Sequence, residues 1–223
     1  MHIEPGLVDT AKIGLSYATA AGAGATGLYY LKEALTERGL MSVALRSVIG
    51  AVGTFVFFEV LPHFSAGVSE VHLILGSTLF LLLGAGPAAL GLALGLLIQG
   101  LFFAPADLPQ YAMNVTTLLV PLFVMMAAAK KLIAPNTAYV DLKYADVLSL
   151  SLVYQGGIVA WVAFWAIYGQ GFSVASAVGT FGLAYMTVVL LEPLVDLGVL
   201  AAAKALRGKT PAALVTPRLY NAA

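Results

Sequence analysis

Residues 147–168 read VLSLSLVYQGGIVAWVAFWAIY and contain no Asp, Glu, Lys or Arg. An α-helix needs about 20 mainly apolar residues to cross the hydrocarbon core of a bilayer, so this stretch is long enough for one crossing. The whole chain has the same character, because 61% of its residues are hydrophobic, 10% are charged and the mean hydropathy is +0.95. A soluble domain carries far more charge, so the sequence predicts an integral membrane protein.

Six further apolar stretches accompany this one. The seven are residues 8–35, 42–61, 71–83, 87–104, 113–133, 147–168 and 173–206. The third is short for a full crossing and is separated from the fourth only by residues 84–87, which leaves six or seven spans open. We favour seven and expect an all-α, seven-helix transmembrane bundle, with residues 1–223 forming a single transmembrane unit.

The basic residues indicate the orientation, because short cytoplasmic loops are enriched in Lys and Arg. With seven spans and the amino terminus outside, ten of the eleven basic residues fall on the cytoplasmic side and only Lys12 falls outside. The ten are Lys32, Arg38, Arg46, Lys130, Lys131, Lys143, Lys204, Arg207, Lys209 and Arg218. We expect a multi-pass protein of the cell membrane, inner or plasma, with its amino terminus outside and its carboxyl terminus in the cytoplasm.

This orientation places all three histidines, His2, His63 and His72, on the outer face. Cysteine is absent, so a metal site must use nitrogen and oxygen ligands. The amine of Met1, with the backbone nitrogen and Nδ1 of His2, can chelate one metal ion. A fourth nitrogen from His63 or His72 completes a square plane, which is typical of nickel(II) or copper(II) and leaves cobalt(II) open.

The residues around these histidines form a wider pattern. Its parts are MHIEPG at residues 1–6, Gly67, Ser69 and His72, GAGP at 84–87, LIQGL at 97–101 and MNV at 113–115. From residue 1 to about residue 125 the chain resembles the CbiM/NikM family, the substrate-capturing integral membrane components of energy-coupling factor (ECF) transporters for cobalt and nickel. One extra residue precedes His72 relative to the family pattern, and His63 has no counterpart in it.

The resemblance implies the metal ligands. They are the amine of Met1, His2 and His72. The amino-terminal arm, residues 1–9, would fold into the outer end of the bundle to reach the site. His63 remains a less certain candidate, which could replace His72, add an axial contact or guide ions inward.

Three other polar residues are candidates for supporting the metal site. Ser69 would orient the imidazole of the loop histidine. Asn114, at the outer start of a helix, could tie the loops around the amino terminus, and Glu59 could balance the metal charge or close the binding loop. Glu192 precedes Pro193 inside the last span, where we favour a hydrogen-bonded kink over a proton relay.

The resemblance also implies the activity and the partners. The protein would capture Co²⁺ or Ni²⁺ as a transported ligand, with no permanently bound cofactor, and cobalt taken up this way serves cobalamin biosynthesis. It would work with a transmembrane coupling (T) component, ATPase subunits and often a small accessory membrane protein, within the lipid bilayer and without nucleic acid. The chain has no Gly-x-x-x-x-Gly-Lys-Ser/Thr phosphate loop, so energy must come from those partners.

Two alternatives come from other classes of protein. One is a secondary transporter or channel for a small organic solute, in which the histidines are incidental. The other is a membrane metalloenzyme, which is disfavoured because the sequence contains no His-Glu-x-x-His helix motif. We therefore expect a protein that is not an enzyme.

Overall fold

The computed structural model of the chain describes residues 3–221. Helices account for most of this part and pack side by side. The α-helices are α1 Thr10–Phe55, α2 Gly76–Leu83, α3 Ala85–Phe102, α4 Tyr111–Leu132, α5 Tyr144–Ile167 and α6 Ala175–Ala205. Their length and apolar composition agree with the predicted all-α polytopic membrane protein.

Helix α1 contains two of the predicted spans. Gly39 interrupts it with a backbone conformation of φ 72° and ψ 174°, which glycine adopts without the steric cost of a Cβ atom. The first half runs antiparallel to α3, because Gly86 lies against Tyr30 and Ala89 against Gly27. The second half runs parallel to α3, because Gly91 lies against Gly50 and Gly95 against Thr54. A single glycine therefore reverses the chain between the first and second predicted spans.

By length and composition, five helices among the described residues could cross a membrane: Thr10–Val60, Ala85–Phe102, Pro105–Leu132, Tyr144–Ile167 and Gly171–Ala205. The first of them includes both halves of α1 and a π-helical turn, Val56–Val60. Four predicted spans therefore have a helix of their own and two share α1.

The third predicted span, residues 71–83, differs most from expectation. Only Gly76–Leu83 is helical, and eight residues of α-helix extend about 12 Å, well short of the hydrocarbon thickness of about 30 Å. The helix begins after Leu75, which has a left-handed φ of 54°. A Cβ on Gly76 would lie 2.2 Å from Cζ of Tyr154, so only glycine fits between this helix start and α5.

The connection between α1 and α2 contains a β-hairpin that the sequence analysis treated as a loop. Strands β1 (Phe64–Ala66) and β2 (Ser69–Val71) pair in antiparallel register. At the turn, Gly67 has a φ of 61°, and a Cβ there would lie 2.0 Å from the carbonyl oxygen of Ala177 in α6. The hairpin is therefore seated on the start of α6.

Glycines bring α1 and α3 into close contact. A Cβ on Gly91 would lie 2.7 Å from the Cα of Gly50, and a Cβ on Gly95 would lie 2.7 Å from the carbonyl oxygen of Ala51. By contrast, Gly14 and Gly22 of the first half of α1 are exposed, and neither position meets a described atom within 4 Å. The tight helix pair is therefore formed by Gly50, Gly91 and Gly95.

This difference between glycines predicts opposite effects of one substitution. Gly91→Ala should destabilise the protein by about 1–3 kcal/mol, because the methyl group has no room against α1. Gly22→Ala, the matched control, should leave stability unchanged or slightly higher, because alanine favours a helix. The measurement is the melting temperature of the purified proteins in detergent, and equal melting temperatures for the two variants would contradict the close packing of α1 and α3.

Candidate metal centre

His72 lies just after β2, and its side chain is buried at one end of the bundle, with 1% of the residue exposed. Its ring stacks on the ring of Phe58 at 4.6 Å between centroids and on the ring of His63 at 4.9 Å, each with an interplanar angle of 19°. The structure therefore brings two of the three candidate histidines together. They differ in access, because His63 is exposed and His72 is not.

Glu70 joins the histidine pair. Its Oε2 lies 2.9 Å from Nε2 of His72, and 28% of its side chain is exposed. Residues two apart in an extended strand point to the same face, which is why Glu70 and His72 meet. The sequence analysis missed Glu70, because the strand was not predicted.

The amino-terminal arm reaches the same region. Ile3 is fully buried, its N–H donates to Oδ1 of Asn114 at 3.0 Å, and it forms an antiparallel bridge with Ser69. The N–H of Glu4 donates to the carbonyl oxygen of Val68 at 3.2 Å. The arm is thus held by the start of α4 on one side and by the hairpin on the other.

Met1 and His2, the first two predicted ligands, lie outside the described residues. Among residues 3–221, no group of three or more His, Cys, Asp or Glu side chains is arranged to hold a metal ion. His63, Glu70 and His72 are therefore the described part of the candidate centre.

The three predicted supporting residues occupy different places. Ser69 is buried beside Ile3, and Asn114 contacts the arm directly. Glu59, in the π-helical turn at the end of α1, accepts a hydrogen bond at 3.3 Å from Nε2 of Gln99 in α3. Ser69 of β2 and Asn114 of α4 thus contact the arm, whereas Glu59 joins α1 to α3.

Glu192 of α6 anchors the chain that follows His72. Its carboxylate is fully buried and accepts hydrogen bonds from the backbone amides of Ile74 and Leu75 and from the side chain of Gln155. These amides precede α2, so the carboxylate satisfies donors at a helix start that has no side-chain cap of its own. Glu192 therefore fixes the non-helical segment between the histidine and α2.

Asp196, one turn further along α6, extends this support. It accepts hydrogen bonds from the hydroxyls of Ser77, at 2.6 Å, and Thr78. The sequence analysis did not single out Asp196, although its spacing of four from Glu192 places both carboxylates on one face of α6. Together the two residues hold the first turn of α2.

Removing the Glu192 carboxylate should destabilise the fold strongly. In Glu192→Ala the buried amides of Ile74 and Leu75 lose their acceptor, at about 1–3 kcal/mol for each unsatisfied group. Glu192→Gln keeps one acceptor oxygen and should cost much less. Melting temperatures in detergent compare the two variants, and an alanine variant as stable as the glutamine variant would exclude the anchoring role.

The fold and the composition define a multi-pass helical membrane protein with a histidine cluster at one end. The family model CbiM, described as the cobalt uptake substrate-specific transmembrane region, matches residues 2–210. The chain belongs to this family. It is therefore a substrate-specific membrane component of cobalt uptake, a class of transport component and not of enzyme, and such components work within transport systems. No curated protein and no solved structure matched the chain.

Proposed function

We propose that this protein captures Co²⁺ at the histidine end of the bundle and delivers it as the substrate component of an ECF-type ABC transporter, with Ni²⁺ as the alternative ion. The observation that carries the proposal is the convergence of the amino-terminal arm, Ser69 and His72 in one place. The metal is the transported substrate, and we propose no permanently bound cofactor.

The register of the arm supports a site built with the terminal residues. Ile3 pairs with Ser69, and the N–H of Glu4 donates to the carbonyl oxygen of Val68, so the arm runs antiparallel to β2. The strand that pairs with Ile3 continues directly into His72. We propose the Met1 amine, the His2 backbone nitrogen and Nδ1, and a His72 nitrogen as the ligands, an all-nitrogen set that suits Ni²⁺ and Co²⁺.

His72 is a better candidate ligand than His63. Burial between two rings and contact with Glu70 fix the orientation of the His72 imidazole, which lowers the cost of ordering it around a metal. The His63 ring is exposed and lies with Nδ1 3.2 Å from the carbonyl oxygen of Leu61. We propose that His63 covers the site and guides ions to it, while Ser69 and Asn114 hold the arm. For Glu59 we propose a role in closing the site through α1 and α3.

We further propose seven passages, with the third formed by the non-helical residues 72–75 and α2. The arm and Asn114 lie at one end of the bundle, whereas Lys130 and Arg218 lie together at the other. That separation agrees with an outside amino terminus and a cytoplasmic carboxyl terminus in a cell membrane. We propose residues 1–223 as one substrate-binding unit whose partners are a transmembrane coupling component, ATPase subunits and a small accessory membrane protein.

Adding one glycine before Met1 tests the terminal chelate directly. The extension displaces the α-amine and keeps every histidine, so Co²⁺ affinity of the purified protein should fall by more than about 100-fold, beyond the usual effect of changing a residue that only orients a ligand. The control is one glycine added after Ala223. Isothermal titration calorimetry measures the Co²⁺ affinity of both extended proteins. An unchanged affinity in the protein with the amino-terminal glycine would overturn the terminal-chelate model.

Separate replacement of the two stacked histidines distinguishes a ligand from a covering residue. His72→Ala should reduce Co²⁺ affinity by more than about 100-fold, whereas His63→Ala should change it by less than about 10-fold, because only the former removes a ligand. The melting temperature without metal shows whether each variant remains folded. A larger loss in His63→Ala would exchange the roles of the two residues.

A further inference from the structure

A cavity of about 170 Å³ lies at the end of the bundle opposite to the histidines. Its walls come from the first half of α1, the break between α2 and α3, the end of α4 and the carboxyl-terminal segment. That segment is fixed by hydrogen bonds from the N–H of Thr216 to the carbonyl oxygen of Leu82, at 2.8 Å, and from the hydroxyl of Ser42 to the carbonyl oxygen of Ala213, at 2.9 Å. The cavity is therefore a built feature of the fold.

Arg46 lines this cavity and is fully buried. Its Nη1 donates to the carbonyl oxygen of Leu83 at 2.7 Å, and its Nε donates to the carbonyl oxygen of Ser42 at 3.4 Å. Its Nη2 has no hydrogen-bond partner among residues 3–221, and no carboxylate of that part of the chain lies within 4 Å of its nitrogen atoms. Glu37 interacts with Arg46 electrostatically through space, without a direct ion pair. A buried guanidinium that has no directly paired anion is unfavourable, so the site favours an anion from outside the chain.

The start of α3 adds further donors. Ala85 and Gly86 line the cavity, and no side chain in the described part of the protein caps this helix. The first amides of an α-helix have no acceptor within the helix, and the helix dipole adds positive potential there. Helix starts therefore bind anions, and the unpartnered Arg46 Nη2 in the same cavity makes this helix start a specific candidate.

Other charges on the cavity differ in exposure. Arg218 is partly buried, and its Nε has no hydrogen-bond partner among the described residues, while Lys130 is exposed at the rim. Glu33 and Glu37 also line the cavity, but both are exposed to solvent. Three basic and two acidic side chains therefore line the cavity, and water screens the exposed carboxylates more effectively than the buried guanidinium, so the balance favours an anion.

We propose that this cavity binds a phosphate group, either that of an anionic phospholipid headgroup or free inorganic phosphate. Arg46, the first amides of α3 and Arg218 are its donors, and Lys130 contributes charge at the rim. A phosphate group offers several acceptor oxygens to donors that come from different elements of the cavity wall, and the guanidinium is well suited to it.

The experiment uses the purified full-length protein, freed of lipid in a neutral detergent, and measures melting temperature at constant ionic strength. Inorganic phosphate is titrated against chloride, and short-chain phosphatidylglycerol against phosphatidylcholine. Stabilisation by both inorganic phosphate and phosphatidylglycerol would show that the site binds the free anion in addition to the lipid headgroup. Stabilisation by phosphatidylglycerol alone assigns the site to a lipid headgroup. No stabilisation by either would overturn the proposal.

Variants show whether the anion occupies this cavity. Arg46→Gln should reduce the affinity for the stabilising ligand at least tenfold. Loss of a buried arginine could impair folding, so Lys130→Gln provides a second test. Its matched control is Lys131→Gln, because both lysines are exposed at the end of α4 and, of the two, only Lys130 lines the cavity. Lys130→Gln should weaken binding several-fold and Lys131→Gln should not, whereas equal effects would indicate non-specific attraction and reject the site.

Discussion

The carboxylate of Glu192 holds the part of the chain on which both ends of the molecule depend. It accepts hydrogen bonds from the amides of Ile74 and Leu75, where the backbone between the hairpin and α2 is neither helix nor strand. Inside a membrane, a non-helical backbone is stable only where the protein itself satisfies its polar groups. With this acceptor in place, the chain can carry His72 directly after a strand and still begin a helix four residues later.

The short helix that follows connects the two ends. Because α2 stops at Gly84, its last carbonyl groups lack helical partners, and the oxygens of Leu82 and Leu83 accept from Thr216 N–H and from Nη1 of Arg46. The start of α2 therefore positions the histidine hairpin, and its end positions the arginine and the carboxyl-terminal segment. One eight-residue helix thus organises the candidate metal centre and the proposed phosphate cavity.

The two ends have different chemistry. The histidine end combines imidazole rings with a carboxylate and a buried amino-terminal arm, a set suited to a metal cation. The opposite end combines a buried guanidinium with a helix start, a set suited to an anion. In a cobalt uptake component, we propose that the first arrangement holds the substrate and that the second contacts a phosphate group.

The sequence by itself determined the membrane-embedded helical class, because long uncharged stretches have no other stable state in lipid. It located α3, α4, α5 and α6 to within a few residues and divided α1 into two spans. It also singled out Asn114, which contacts the arm, and Glu192, which is hydrogen-bonded in the core. Only the tertiary structure decided the hairpin, the shortness of α2, and the places of Glu70, Asp196 and Arg46. Those features depend on pairs far apart in sequence, such as Gly67 with Ala177 and Leu75 with Glu192, which local hydropathy does not encode.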